Sequence, residues 1–281
     1  MNFQWYPGHM TKARRMMQEN IKLIDLVIEV VDARAPLSSR NPDIDELGRN
    51  KFRIILLNKA DLADPRYNTL WMEYFKAKGF FVQEMNSRTG AGIKNIQALV
   101  QEACKEKIER DKKRGILNRP VRAMVVGIPN VGKSTFINAL AGKACTKTGN
   151  KPGVTKGKQW IRLNKGLELL DTPGILWPKF EDQAVGERLA VIGSMNDEIL
   201  HMDELAVLLL SYLQKEYPEI LKERYQIDLN KEAYHMLEEI CEIRKCFLKG
   251  EAPDIDRAAG MVLEDFRSGR IGRITLEHPE E

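Results

Sequence analysis

Histidine and cysteine are scarce in this chain: four of each among 281 residues. The cysteines, Cys104, Cys145, Cys241 and Cys246, form no pair with zinc-ligand spacing, which argues against a zinc-built domain. Cys241 and Cys246 lie five apart on an expected helix, a spacing suited to core filling, and reduced thiols point to the cytoplasm. No run approaches the ~18 uninterrupted apolar residues that a membrane helix needs. The opening Met1-Asn2-Phe3-Gln4-Trp5 lacks the basic and apolar regions of a secretion signal. Internal repeats and low-complexity tracts are also lacking. What remains is 43% hydrophobic and 30% charged, the balance of a globular protein with a proper core and room for two domains.

The net charge of +4 hides an asymmetry. Residues 1–180 carry 32 Lys and Arg against 17 Asp and Glu, a balance of +15. Residues 181–281 carry 12 against 23, a balance of −11. A basic half favours a polyanionic partner such as RNA, although charge alone equally fits a solvated face. From Lys143 to Lys165 there are seven basic residues and no acidic one, and Arg14 and Arg15 extend that patch. Such side chains are expected to grip phosphates with little sequence preference. The acidic half has only local basic patches, such as Arg267, Arg270 and Arg273, which could meet RNA, and apolar helix faces open to protein partners.

The first 180 residues alternate apolar strands with amphipathic stretches, predicting an α/β domain with a mostly parallel sheet. Strands are expected at 26–31, 53–57, 80–84, 121–126, 157–163 and 167–170. Helices are expected at 11–24, 42–50, 65–78, 93–110 and 133–141. The run Glu109–Gly115 reads equally as a linker or as the exposed end of a helix. From about residue 187 the texture turns helical, over 205–217, 231–248 and 256–267, with Pro218, Pro253 and Gly269 as punctuation. The expected organisation is residues 1–180 as one domain and 187–281 as a small all-helical one.

Gly127-Ile128-Pro129-Asn130-Val131-Gly132-Lys133-Ser134 fits the phosphate-loop pattern GxxxxGK[ST], after an apolar strand and before a helix. Its backbone N–H groups, those of Asn130 to Thr135 above all, can curl round phosphates at a helix N-terminus. Lys133 reaches the β/γ-phosphates in this reading, and the Ser134 hydroxyl ligates Mg²⁺. Asp171-Thr172-Pro173-Gly174 follows another apolar run; its carboxylate suits Mg²⁺ through a water, and the Gly174 N–H suits the γ-phosphate. Thr155, in a loop between them, is the natural second hydroxyl for the ion.

Asn58-Lys59-Ala60-Asp61 follows the strand 53–57. The Asp61 carboxylate can accept two hydrogen bonds, from N1–H and the 2-amino group of guanine, a donor pair that adenine lacks. Asn58 is expected to tie the loop, and the Lys59 stem to cover the base. Asn86-Ser87-Arg88-Thr89-Gly90 lies where a backbone N–H, at Ser87 or Arg88, can meet guanine O6.

In an ordinary Ras-like domain the order is phosphate loop, threonine loop, DxxG, NKxD, serine loop. Here the last two come first, so the cyclic order is kept and the chain is cut after DxxG. With Trp5-Tyr6-Pro7-Gly8-His9-Met10, Asp32-Ala33-Arg34-Ala35-Pro36 and Asp265-Phe266-Arg267, the sequence resembles the circularly permuted Ras-like GTPases of ribosome assembly over essentially its whole length. That resemblance implies hydrolysis of GTP to GDP and maturation of the large (50S) ribosomal subunit, whose rRNA and proteins become the expected partners. A monomer that binds no membrane is expected. The alternative is a GTP-gated regulatory module in stress or metabolic signalling.

The position after DxxG that holds a water-orienting Gln in Ras-like enzymes holds Ile175 here. His9, ahead of the helix that leads into the first strand, is the leading candidate for that task; packing or RNA contact is the other reading. Asn130 resembles the phosphate-loop asparagine of potassium-stimulated GTPases, which makes K⁺ an expected second ion; stabilisation of the loop by the amide is its equal alternative. The segment after Gly174, leading into the helical domain, offers a covalent route from nucleotide state to domain orientation.

Overall fold

The computed structural model describes residues 15–142, 159–164, 166–172, 182–197, 200–249 and 252–279. Strands rich in Val, Ile and Leu have no polar face to offer water, so they are stable only when covered on both sides. That is how they are used. β1 (Leu26–Asp32), β2 (Phe52–Asn58), β3 (Phe81–Glu84), β4 (Val121–Val126), β5 (Gln159–Asn164) and β6 (Leu167–Asp171) form one sheet in the order β3-β2-β1-β4-β6-β5. All neighbours are parallel except β5 and β6. In β2, Ile54 and Leu56 face one apolar cluster while Ile55 and Leu57 face another, built round Trp71 and Phe75 of the helix Pro65–Ala77.

The expected α/β class and the mostly parallel sheet are thus present, with the strands close to their predicted spans. β4 and the helix Lys133–Ala141 fall where the sequence places them, the helix bounded by Gly132 and Gly142, both at positive φ. The 11–24 helix is described from residue 15 and tightens into a 3₁₀ turn at Ile21–Leu23 before β1. The 93–110 prediction resolves into a 3₁₀ turn Ile93–Asn95 and two helices, Ile96–Ala103 and Lys105–Lys113, joined at Cys104. The Glu109–Gly115 run is therefore mostly helix end.

Helices Met202–Glu216, Ala233–Ile243 and Ile255–Arg267 match three predicted elements, and two more were missed. Pro218, read as punctuation, is the first residue of the helix Pro218–Tyr225, where its missing N–H goes unneeded. The helix Gln183–Val191 opens on Asp182, whose side chain accepts from the Ala184 N–H. The 231–248 helix stops at Ile243, since Lys245 adopts φ 54° and Phe247 bridges to Pro253. Cys241 and Cys246 are buried, as core filling requires.

One feature had no precedent in the sequence pattern. After the last helix the chain turns at Gly269 and Gly272, both at positive φ, and residues 273–277 run back across the loops at the carboxyl ends of β1 and β2. The Trp71 indole donates to the Glu277 carbonyl at 3.1 Å, fixing the far end of this tail.

Candidate nucleotide site

Parallel strands bring their carboxyl ends to one edge, and at this edge Asp32, Asn58 and Asp171 finish β1, β2 and β6 beside the loop that leaves β4. The loop between β4 and the helix Lys133–Ala141 depends on two glycines. At Gly127 a Cβ would sit 2.4 Å from the Val30 carbonyl, and at Gly132, φ 96°, 2.3 Å from the Asn58 side-chain nitrogen. Lys133 donates to the Ile128 carbonyl at 2.9 Å, so its ammonium curls back over the loop. Burial pushes Lys133 down to about 8, against the pull of Asp171. Ser134 and Thr135 follow in the first helical turn, both half-buried.

Asp171 is fully buried, and neither carboxylate oxygen makes a well-formed hydrogen bond among the described residues. Burial raises it to about 6, with the Lys133 charge and the Thr172 backbone drawing it back down. Thr172 turns its hydroxyl away, donating to the Val125 carbonyl at 2.7 Å.

The other half of the edge centres on Asn58. Its side-chain nitrogen donates to the Val131 carbonyl at 2.7 Å, and its oxygen accepts from the Ser87 N–H at 3.0 Å and the Ser87 hydroxyl at 2.5 Å. One amide thereby joins the NKxD motif, the phosphate loop and the serine loop. Lys59, at φ 59°, sends its ammonium 2.8 Å from Asp32, which also pairs with Arg34 at 2.7 Å. Asp61 stands exposed, with Ala60 and Ala63 buried on either side. Arg88 is exposed, and its N–H, like that of Thr89, is taken by the Asn86 side-chain oxygen. A backbone donor from Ser87 or Arg88 to guanine O6 would therefore be a shared one.

Asn130 donates from its side-chain nitrogen to the Gly193 carbonyl at 2.7 Å, a loop-stabilising contact that reaches beyond the helix Gln183–Val191. His9, Thr155 and Gly174 lie outside the described residues. The role of Arg34 was not read from the sequence: it is buried, stacks on Phe266 and donates to the Ile192 and Arg267 carbonyls. The available signal was Asp32, a carboxylate ending the strand next to Asn58.

Residues 122–240 match the family model described as "50S ribosome-binding GTPase". The matched stretch holds the phosphate loop but begins after Asn58–Asp61, as a permuted order requires. The chain is 50% identical to ribosome biogenesis GTPase A of Bacillus cereus, over 100% of this chain and 95% of that protein. The same-named protein of Thermotoga maritima is 32% identical over 99% and 95%. This chain belongs to the ribosome biogenesis GTPase A family. Two solved structures agree: GNP-bound YlqF from T. maritima, with a TM-score of 0.67 at 30% identity over 96% of this chain and 99% of that one, and a GDP-bound YlqF, also 0.67, at 29% identity over 95% and 100%. As a member of the ribosome biogenesis GTPase A family, the protein is a GTPase and a ribosome-assembly factor with a circularly permuted P-loop domain. Among the described residues no helix is long and apolar enough to cross a membrane.

Proposed function

We propose that the protein binds GTP with Mg²⁺ at this edge and hydrolyses it while docked, as a monomer in the cytoplasm, on a maturing large ribosomal subunit. The observation that carries the nucleotide reading is the Asn58 junction, which draws the phosphate loop and both base-side loops together. The assembly role is supported by the names of the relatives and by the basic tract 143–165.

Asp171 suits a cation: a buried carboxylate whose oxygens find no hydrogen-bond partner among the described residues is costly unless positive charge or donors satisfy it. Asp171 through a water, with the Ser134 and Thr155 hydroxyls, would hold Mg²⁺, which supplies charge neutralisation of the phosphates. Lys133 supplies a second positive charge, and the N–H groups of Asn130, Val131, Gly132, Lys133, Ser134 and Thr135 with that of Gly174 surround the phosphates. Asp61 reads guanine, Lys59 covers it, and Ser87 and Arg88 border it. His9 orients the attacking water, because Ile175 cannot. The Asn130 amide oxygen holds a K⁺ ion while its nitrogen keeps the Gly193 contact; a rate that is equal in potassium and sodium would remove that ion from the scheme.

The test combines nucleotide and particle. Asp61→Asn turns an acceptor into a donor, so GTP affinity should fall while xanthosine triphosphate gains. Purified large-subunit precursors should raise the GTPase rate of the unaltered protein and the xanthosine triphosphatase rate of the variant. Unchanged GTP affinity in Asp61→Asn removes the base assignment, and indifference to the particles removes the ribosomal one.

A further inference from the structure

A carboxylate that accepts two hydrogen bonds from one base edge must be held in orientation, and an exposed loop does not hold itself. One guanidinium spans the loop bearing Asp61, whose Ala60 carbonyl also accepts from the Asn68 side-chain nitrogen at 3.0 Å. Arg273 donates from Nη2 to the Ala60 carbonyl at 3.0 Å and from Nε to the Ala63 carbonyl at 2.9 Å, spanning both shoulders of Asp61. The next two residues continue the grip. The Ile274 N–H donates to the Leu62 carbonyl at 3.0 Å, and the Thr275 hydroxyl accepts from the Asp64 N–H at 3.1 Å. The Leu62 side chain closes on Gly269, where a Cβ would lie 2.7 Å away.

A parallel line of contacts reaches the same motif from the other side. The Leu276 N–H donates to the Arg34 carbonyl at 2.7 Å; Arg34 pairs with Asp32, and Asp32 with Lys59. Both the acid and the lysine of the base-reading motif are thus backed by four consecutive residues of the C-terminal tail. The planar fork of arginine suits two carbonyls at a fixed separation, which a lysine ammonium matches poorly.

We propose that Arg273 is a positioning residue for guanine recognition, and that through it the tail sets selectivity for the 2-amino group of the base. This rests on the reading of Asp61 as the guanine acceptor. Inosine nucleotides lack that amino group, so the ratio of GDP to IDP affinity reports how well Asp61 is oriented.

The full-length protein and its variants are titrated with GDP and with IDP. Arg273→Ala is expected to weaken GDP about tenfold and IDP only about twofold, compressing the ratio, with Arg273→Lys between it and the parent. Leu237→Ala, a cavity in the buried face of the helix Ala233–Ile243, serves as a destabilised control and should leave the ratio intact. If Arg273→Ala does not fold, the lysine variant carries the test alone. A ratio unchanged in the Arg273 variants but compressed in Asp61→Asn overturns the proposal and leaves the base reading standing. A ratio unchanged in Asp61→Asn overturns both.

Discussion

The side-chain amide of Asn58 donates to the backbone carbonyl of Val131 across 73 residues of chain, at 2.7 Å. Since its oxygen serves Ser87 as well, Asn58→Ala leaves a buried carbonyl, an N–H and a hydroxyl without partners. We predict a loss of about 1–3 kcal/mol in stability from these orphaned groups. Nucleotide affinity should fall with it, because the phosphate and base loops lose their common anchor. Denaturant unfolding and a GDP titration check both; a stable variant with parental GDP affinity would remove Asn58 from its central place.

Asp32 sets a pH signature. The Arg34 and Lys59 charges and their hydrogen bonds, working against burial, hold its carboxyl far below the ordinary 3.8. A carboxyl lowered in the folded state contributes stability that is present above the unfolded value and is lost as pH falls below about 4. Asp32→Asn leaves the buried Arg34 guanidinium without its counter-charge, and we predict a loss of about 3–5 kcal/mol at pH 7. The gap between parent and variant should narrow below pH 4, where the unfolded parent takes up a proton on Asp32 that the folded protein still refuses. A gap that stays constant from pH 7 to pH 3 would contradict the pairing.

How much of this was legible in sequence follows physical range. β4, the glycines 127 and 132 and the helix Lys133–Ala141 were readable because a strand, a turn and a helix start are local demands. The NKxD motif was readable for the same reason, and so was the cyclic order of the motifs. The Arg273 contacts were not: Arg273-Ile274-Thr275-Leu276 is too short for periodicity, and the carbonyls that Arg273 grips lie more than two hundred residues away. Pro218 misled because a proline that stops one helix also starts another. Asn130 was visible as an amide in a phosphate loop, but nothing local pointed to the Gly193 carbonyl.

We propose that His9 serves the γ-phosphate, because it precedes in sequence the helical segment that enters β1, the strand beside β4. A neutral imidazole can both accept and donate a hydrogen bond, as orienting a water requires. His9→Ala should lower the particle-stimulated rate roughly 10²-fold and leave GDP affinity nearly unchanged. Normal stimulated turnover, or a loss traced to nucleotide binding, would assign the task elsewhere.

Asp171 and Lys133 make the ligand-free site a source of instability near neutral pH. Burial raises Asp171 from 3.8 to about 6, so its ionised form penalises the folded state. That penalty is absent below about 4, grows through the interval and is complete above pH 6. Lys133, lowered from 10.5 to about 8, behaves in mirror image: its penalty is complete below pH 8 and vanishes above about 10.5. Both act in full between pH 6 and 8, where Mg²⁺ and nucleotide phosphates would satisfy them. Asp171→Asn keeps the shape and removes one charge, while also depriving Lys133 of its neighbour. We therefore predict that the ligand-free variant gains about 1–2 kcal/mol over the parent at pH 7. The gain should disappear near pH 4, where the parent is neutral at this position too. Stabilisation by GDP with Mg²⁺ should shrink in the same variant, because the carboxylate that welcomes the ion is gone. Thermal melts at pH 4 and pH 7, with and without GDP and Mg²⁺, separate these effects. A variant less stable than the parent at pH 7 without ligand would mean that Asp171 has partners in the folded protein that satisfy its charge.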